Sequence, residues 1–438
     1  MAWLLLYKTE RKSMAKKEMS MSNFYKQLVD SIWFRLTCMF LAIMLMVFIG
    51  PMGIGHGGPS STNLDARFLY VAGLYWHFGG SPYNPASLAE FVPDLMEAVD
   101  RYDFAYPPHI SPLCLFLAAF PWLQAKLLMT YINIAAALSL GLLCARFGYG
   151  EEGDVSRADT SNARWLITAL VIGNFSTAYV IWAGQTTLIV AVALVAGWHY
   201  VKRGNTIIGG ALLGFATIKP QLLIGPMLWL LLDKRWRALF SAAIVALVLS
   251  TVPLLNSDPI DLLISWYSAI QHYTLANYNT LGSRMVFSLP SLLHAIGISF
   301  PNIGPLIIVI SVGLLWYFKS KVLTADVLAI LLGSSLLFGY AHGYDLVILA
   351  PMIPAFWRHL SSRPLAGLVA LGLFLIITLP NSIFESFGIP LLLHARVIGL
   401  LICVVWLCAM SVKRARGTRQ ETEFNFLPEA DANRAALS

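Results

Sequence analysis

The sequence predicts an all-α polytopic membrane protein. Three observations carry that prediction. Hydrophobic residues make up 58% of the 438 positions and charged residues only 12%, with a mean hydropathy of +0.68, whereas soluble domains carry roughly 25% charged residues. Several apolar runs reach about 18 residues with few charges, the length that crosses a bilayer as a helix. The basic residues are grouped in short clusters beside those runs rather than spread over the chain: Lys8 to Lys17, Lys202-Arg203, Lys234-Arg235-Trp236-Arg237, and Lys413 to Arg419. That is the positive-inside pattern, and it argues against reading the net charge of +7 as a nucleic-acid footprint.

With those clusters fixed on the cytoplasmic side, about twelve spans follow in order. They fall near 33–54, 126–147, 164–183, 186–201, 205–219, 220–233, 237–255, 303–319, 322–341, 344–360, 364–380 and 391–412. An even number returns both termini to the cytoplasm, as their basic residues require. Residues 1–32 form a basic cytoplasmic N-terminus in which the first apolar run starts too late for a signal peptide. Residues 33–412 form the membrane domain, and 413–438 a cytoplasmic tail of mixed charge expected to be disordered. The runs 205–219 and 220–233 are short and are split by Lys219-Pro220, which suggests a tight hairpin turning near the outer face. The Pro-bounded piece 109–120 is too short to span and reads as re-entrant.

Two connections, 55–109 and 256–302, are too long for simple loops and are assigned to the outer face. Each contains an apolar, aromatic stretch suited to a helix lying at the headgroup level: 68–78 in the first and 285–298 in the second. The five cysteines, Cys38, Cys114, Cys144, Cys403 and Cys408, lie in or beside apolar segments without ligand spacing, so neither a disulfide framework nor a zinc site is indicated. No phosphate-binding Gly-rich loop, metalloprotease motif or nucleophile elbow occurs, so no cofactor or metal is assigned.

An ionisable side chain at membrane depth is expensive unless it faces water or a partner, so the few present are the functional candidates. Asp65 follows the first span; it is either the N-cap of the next helix or a general base that takes a proton from an acceptor hydroxyl. Arg67 lies beside it, and Asp103 lies just before Tyr106-Pro107-Pro108. Lys219, before Pro220, either snorkels to the interface or offers a point charge to a phosphate, helped by the dipole of a helix starting at Pro220. His342 and Asp345, three residues apart, are either a polar loop or a dyad facing Asp65. Gln185, at a helix junction, bonds backbone or a sugar hydroxyl. Arg284 and the tyrosines of the outer loops, Tyr83 and Tyr106 among them, complete the candidate substrate-binding set, although aromatic side chains equally suit a membrane belt.

In order and spacing the chain resembles glycosyltransferase family 87, a group of integral-membrane enzymes of the GT-C superfamily. The matching pieces are Leu64-Asp65-Ala66-Arg67 with Gly80-Ser81-Pro82-Tyr83-Asn84-Pro85, Phe104-Ala105-Tyr106-Pro107-Pro108, and Gly184-Gln185-Thr186-Thr187-Leu188. They continue through 209–220, ending in Lys219-Pro220, then Lys234-Arg235-Trp236-Arg237, and finally His342-Gly343-Tyr344-Asp345. The resemblance implies a GT-C type bundle in the plasma (inner) membrane. It implies inverting transfer of a sugar from a polyprenyl-phosphate donor to a hydroxyl of a glycolipid or glycan acceptor on the outer face. By the same resemblance Asp65 and His342 are the catalytic residues, Asp65 as the base and His342 near the donor phosphate or the reacting sugar, and Lys219 belongs to the Lys-Pro motif. The sugar itself does not carry over, because the outer-loop sequences of the mannosyltransferases in that family are not closely reproduced. A flippase or secondary transporter is the competing class, but the internal repeats common in transporters are not found. A surface-polysaccharide polymerase or ligase usually has an outer loop rich in Arg and His, and 256–302 offers only His272, Arg284 and His294.

Overall fold

A computed structural model describes residues 31–54, 63–84, 104–147, 157–277, 279–298, 303–360, 364–388 and 390–425. No β-strand occurs among them; one isolated bridge joins Val286 to His342. The chain opens with α1 (Ile32–Ile54) and α2 (Leu64–His77), then a 3-10 turn (Pro108–Ile110) running into α3 (Ser111–Ala118), and the long α4 (Trp122–Phe147). Helices α5 (Arg157–Ile172) and α6 (Phe175–Ala183) follow, broken at Gly173-Asn174, where the Asn174 side chain accepts from Ser176 N at 2.8 Å and restarts the helix. The two are bent by 49°, so the span expected over 164–183 is a broken one.

The middle of the chain supplies α7 (Thr187–Lys202), α8 (Thr206–Ala216), α9 (Pro220–Leu232), α10 (Trp236–Leu249), the single turn α11 (Thr251–Asn256) and α12 (Pro259–Leu275). Then come α13 (Leu289–Ala295), α14 (Gly304–Tyr317) and α15 (Val327–Phe338), a 3-10 stretch (Gly343–Leu349) leading into α16 (Met352–Leu360), and α17 (Pro364–Ile377), α18 (Asn381–Glu385) and α19 (Pro390–Asn425). Helices α7 and α15 are buried almost all round, as expected of central columns in a bundle. They fix the site, because α7 begins at Thr187 and α15 ends just before the 339–345 turn.

Glycines set the packing around α8. A Cβ on Gly209 would meet Val201 and the Gly197 carbonyl, while Gly197 faces Leu213, so α8 runs antiparallel to α7. Cβ atoms on Gly210 and Gly214 would lie 2.3 and 2.4 Å from the carbonyl oxygens of Ala238 and Ala242, so α8 and α10 run parallel in a small-residue contact. Helix α9 between them must therefore return. The reversal expected at Lys219-Pro220 is present, but α9 packs on α14 and α15 instead of closing a hairpin on α8.

The expected twelve spans are not matched helix for helix. Among the described residues two helices have the length and apolarity to cross a membrane, Trp122–Arg146 (25 residues) and His394–Ala415 (22 residues), or three if the bent pair counts as one. The remaining apolar helices are shorter, between 10 and 17 residues. Spans read from sequence as continuous are interrupted inside 164–183 at Gly173-Asn174, inside 237–255 at Ser250, and inside 344–360 where the 3-10 stretch gives way to α16.

The piece 109–120 is a short helix packed on α2, with Gly73 against the Cys114 carbonyl. In the first long connection the expected interfacial helix is α2, but it is largely covered by protein. In the second, α13 is shorter than expected and the larger element is α12, which the sequence reading overlooked. Its Ile260, Leu263, Ile264 and Tyr267 are exposed. In water each such side chain would forgo roughly 1.5–3 kcal/mol of burial, so this face suits lipid. Helix α19 extends to Asn425, so the tail expected to be irregular from 413 starts out helical. The remainder of that tail and the first 30 residues lie outside the described set.

Candidate functional site

Polar side chains from four junctions converge at one end of the central columns. The first is the start of α2, where Asn63 has a left-handed backbone (φ 58°) and its N–H donates to the Trp182 carbonyl at 2.7 Å. Gly184 (φ 68°), the C-cap of α6, lies directly beneath; a Cβ there would be 2.6 Å from that of Ala66. Only glycine permits this approach, and it sets Gln185 beside Asp65. Asp65 is the second residue of α2, not its N-cap, so its carboxylate lies in a first turn where the helix dipole favours negative charge.

The Gln185 amide is oriented by its neighbours. Its Oε1 accepts from the Tyr106 hydroxyl at 2.7 Å and from Thr186 N at 3.3 Å, leaving the NH₂ to donate to Asp65. Tyr106 is held in turn by the Tyr83 hydroxyl, which donates to its carbonyl at 2.9 Å. Asp65 stays partly accessible although closely surrounded. It lies outside the expected spans, and burial pushes its carboxyl up to about 6. The charge of Lys219 and the Gln185 hydrogen bond pull it back down, and Asp345 adds a further upward push.

Lys219 is the residue before α9, with Pro220 at its N1 position. Its side chain is not snorkelling: it is 4% exposed, and Nζ donates to Asp345 Oδ1 at 2.9 Å and to Thr187 Oγ1 at 2.7 Å. Its ammonium also lies 4.6 Å from the centre of the Tyr344 ring. Thr187 donates to the same Asp345 oxygen at 3.0 Å, which closes a triangle. Asp345 Oδ2 accepts from the backbone N–H of His342 at 3.0 Å. The buried pair thus has the extra hydrogen bonds that buried charges need.

His342 and Asp345 therefore meet through backbone and carboxylate, not through imidazole and carboxylate. The His342 Nδ1 lies 3.1 Å from the Met285 carbonyl, which can only accept, so Nδ1 carries the proton. Nε2 is then the acceptor, 3.0 Å from the hydroxyls of both Tyr273 and Tyr340. The ring is buried and tied to the second long connection through Tyr273 and Met285.

Of the residues expected from sequence, Asp65, Tyr106, Gln185, Lys219 and Asp345 meet at this end, with Tyr83 behind Tyr106 and His342 behind Asp345. Arg67 points elsewhere, its guanidinium 5.8 Å from the centre of the Trp122 ring. Arg284 pairs with Glu385 at 3.1 Å on the surface. Asp103 lies outside the described residues. Sequence reasoning missed Thr187, Tyr344 and Tyr340 as site members, although Thr187 and Tyr344 stand inside the motifs quoted above. It also missed a second buried cluster at the opposite end of α15, where Asp326 bonds both Arg358 and His359. Among the described residues no three His, Cys, Asp or Glu side chains converge as a metal site would require.

The description of glycosyltransferase family 87 matches residues 104–339, more than half of the chain. The chain belongs to glycosyltransferase family 87. Tyr106, Gln185, Lys219 and Arg284 fall inside the family 87 match, which covers 104–339; Asp65 lies well before its start and His342 and Asp345 just past its end, and these three join Tyr106, Gln185 and Lys219 through the contacts above. Among curated proteins the chain is similar to the alpha-(1->3)-arabinofuranosyltransferases of two Mycobacterium tuberculosis strains, CDC 1551 / Oshkosh and ATCC 25618 / H37Rv. Identity to each is 28% over 306 residues, covering 66% of this chain and 64% of the relative. The match thus spans less than two thirds of those proteins' length. No solved structure matches this family 87 chain.

Proposed function

We propose that the protein is a membrane glycosyltransferase that moves a sugar, with inversion, from a polyprenyl-phosphate donor to a hydroxyl of a lipid or glycan acceptor on the outer face of the plasma membrane. The observation that carries this reading is a raised, partly accessible carboxylate, Asp65, held beside a buried cation in a family 87 chain. In the proposed step Asp65 takes the proton of the acceptor hydroxyl, and that oxygen attacks the anomeric carbon from the face opposite the phosphate. The bond from the anomeric carbon to the phosphate oxygen breaks, and the polyprenyl phosphate leaves with the electron pair. Gln185 orients the base through its NH₂. Lys219 supplies positive potential on the phosphate side, and Asp345 with Thr187 fixes its ammonium. His342 holds the Tyr273 and Tyr340 hydroxyls at the same end.

The arabinofuranosyl relatives make a pentose as reasonable a cargo as a hexose. The test is transfer in purified vesicles from synthetic polyprenyl-phosphate sugars. Asp65→Asn, which keeps size and hydrogen bonding but not basicity, is expected to lower turnover by about two to four orders of magnitude with donor binding intact. Turnover near the wild-type rate in that variant would remove Asp65 from the role of base.

A further inference from the structure

His109 has no part in the chemistry above, yet it bridges the two arms of the site. It stands on the 3-10 turn Pro108–Ile110, three residues after Tyr106, whose hydroxyl reaches Gln185. On its other side Nε2 lies 3.1 Å from Thr217 Oγ1, two residues before Lys219. The Thr217 hydroxyl gives its own proton to the Gly214 carbonyl, as a Thr at a helix C-terminus commonly does. Its oxygen is therefore the acceptor, and His109 Nε2 must be the donor. Burial disfavours the charged form of the imidazole, so the ring is neutral at neutral pH and the proton on Nε2 leaves Nδ1 with a bare lone pair. Among the described residues Thr217 is the hydrogen-bond partner of the ring and no other residue bonds it, and the ring is half-buried, not sealed.

A lone pair at this position selects its ligand. Ionised phosphate oxygens carry no hydrogen and are repelled; a hydroxyl donates and is held. We propose that His109 is a substrate-binding residue whose Nδ1 accepts a hydrogen bond from a hydroxyl of the sugar carried on the lipid phosphate. This rests on the donor assignment made above. The turn that carries His109 lies against the stretch leading to Lys219, so the contact falls on the donor side of the site, near the sugar's link to phosphate.

Two substitutions separate the ring nitrogens. His109→Gln places an amide N–H near the position of Nε2 and keeps the Thr217 contact without an acceptor at Nδ1, whereas His109→Asn places a carbonyl oxygen near Nδ1. Affinities are measured in nanodiscs for a polyprenyl-phosphate sugar and for the bare polyprenyl phosphate, alongside the melting temperature of each variant. His109→Gln is expected to weaken binding of the sugar-bearing lipid about tenfold and leave the bare lipid unchanged. His109→Asn is expected to stay within about threefold of wild type on the sugar-bearing lipid. Equal loss on both lipids, no loss on either, or a loss in both variants that follows a lowered melting temperature overturns the proposal. A wild-type protein that binds neither lipid overturns the donor assignment and this proposal together, which marks that failure off from the others.

Discussion

Asp65 and Lys219 illustrate how a residue's neighbours decide its chemistry. Alone in an apolar bundle Asp65 would be a protonated acid; with Lys219 and Gln185 beside it, its carboxyl titrates at about 6 and is mostly ionised at neutral pH. If that carboxylate is the base, turnover falls as pH drops through about 6, because the acid form cannot accept a proton. A profile that stays level down to pH about 4.5 would rule this out. The neighbours move the limb in predictable directions. Lys219→Ala removes the group that lowers the Asp65 pKa, so the acid limb shifts to higher pH, and donor affinity falls as well. Unchanged affinity and an unmoved limb would leave Lys219 with only the structural task of holding Asp345. His342 is a different case. Its proton is committed to Met285 and its lone pair to two tyrosine hydroxyls, so the geometry suits positioning more than proton transfer.

At the scale of the element, the junction after α8 depends on how closely that helix approaches its neighbours. Replacing a helical glycine by alanine ordinarily stabilises by about 1 kcal/mol, whereas overpacking costs about 1–3 kcal/mol. At Gly214 the new Cβ would lie 2.4 Å from a backbone carbonyl of α10, which cannot rotate away as a side chain can. The clash should win. Gly214→Ala is expected to lower the melting temperature in detergent, and Gly214→Val to lower it further. A stabilised Gly214→Ala would mean that α10 moves freely and that the parallel α8–α10 contact does not hold Lys219 in place. The glycine motif around 209–220 was readable in the sequence as a family feature. Its physical use, two backbones in contact so that a returning helix starts at Lys219, was not.

Over the whole molecule, two buried ionic clusters occupy the two ends of α15: Lys219 with Asp345 beyond its C-terminus, and Asp326 with Arg358 and His359 at its start. The second lies away from the proposed chemistry and provides an internal control. Asp326→Ala would leave the Arg358 charge without its carboxylate at an almost fully buried position, and breaking such a pair typically costs about 3–5 kcal/mol. The folded fraction should fall while kcat per folded molecule stays within about twofold of wild type. A selective loss of kcat with unchanged stability would show that the two ends are coupled.

Composition and the basic clusters were enough to make this an all-helical membrane protein, because a bilayer tolerates few charges and sorts the ones it has. Motif order was enough to suggest the family, and the rarity of charge at membrane depth was enough to mark Asp65, Lys219, His342 and Asp345. Periodicity could not count the spans, since a hydropathy run does not register a helix that breaks at Gly173-Asn174 or stops at Leu249. Nor could it pair the charges: Lys219 and Asp345 are 126 residues apart, and Asp65 reaches Gln185 only because Gly184 lets α2 settle on the end of α6. Chain chemistry fixed which residues are expensive to bury. Only the three-dimensional packing of helix ends decided which of them meet, because contact energy depends on distance in space and not on position along the chain.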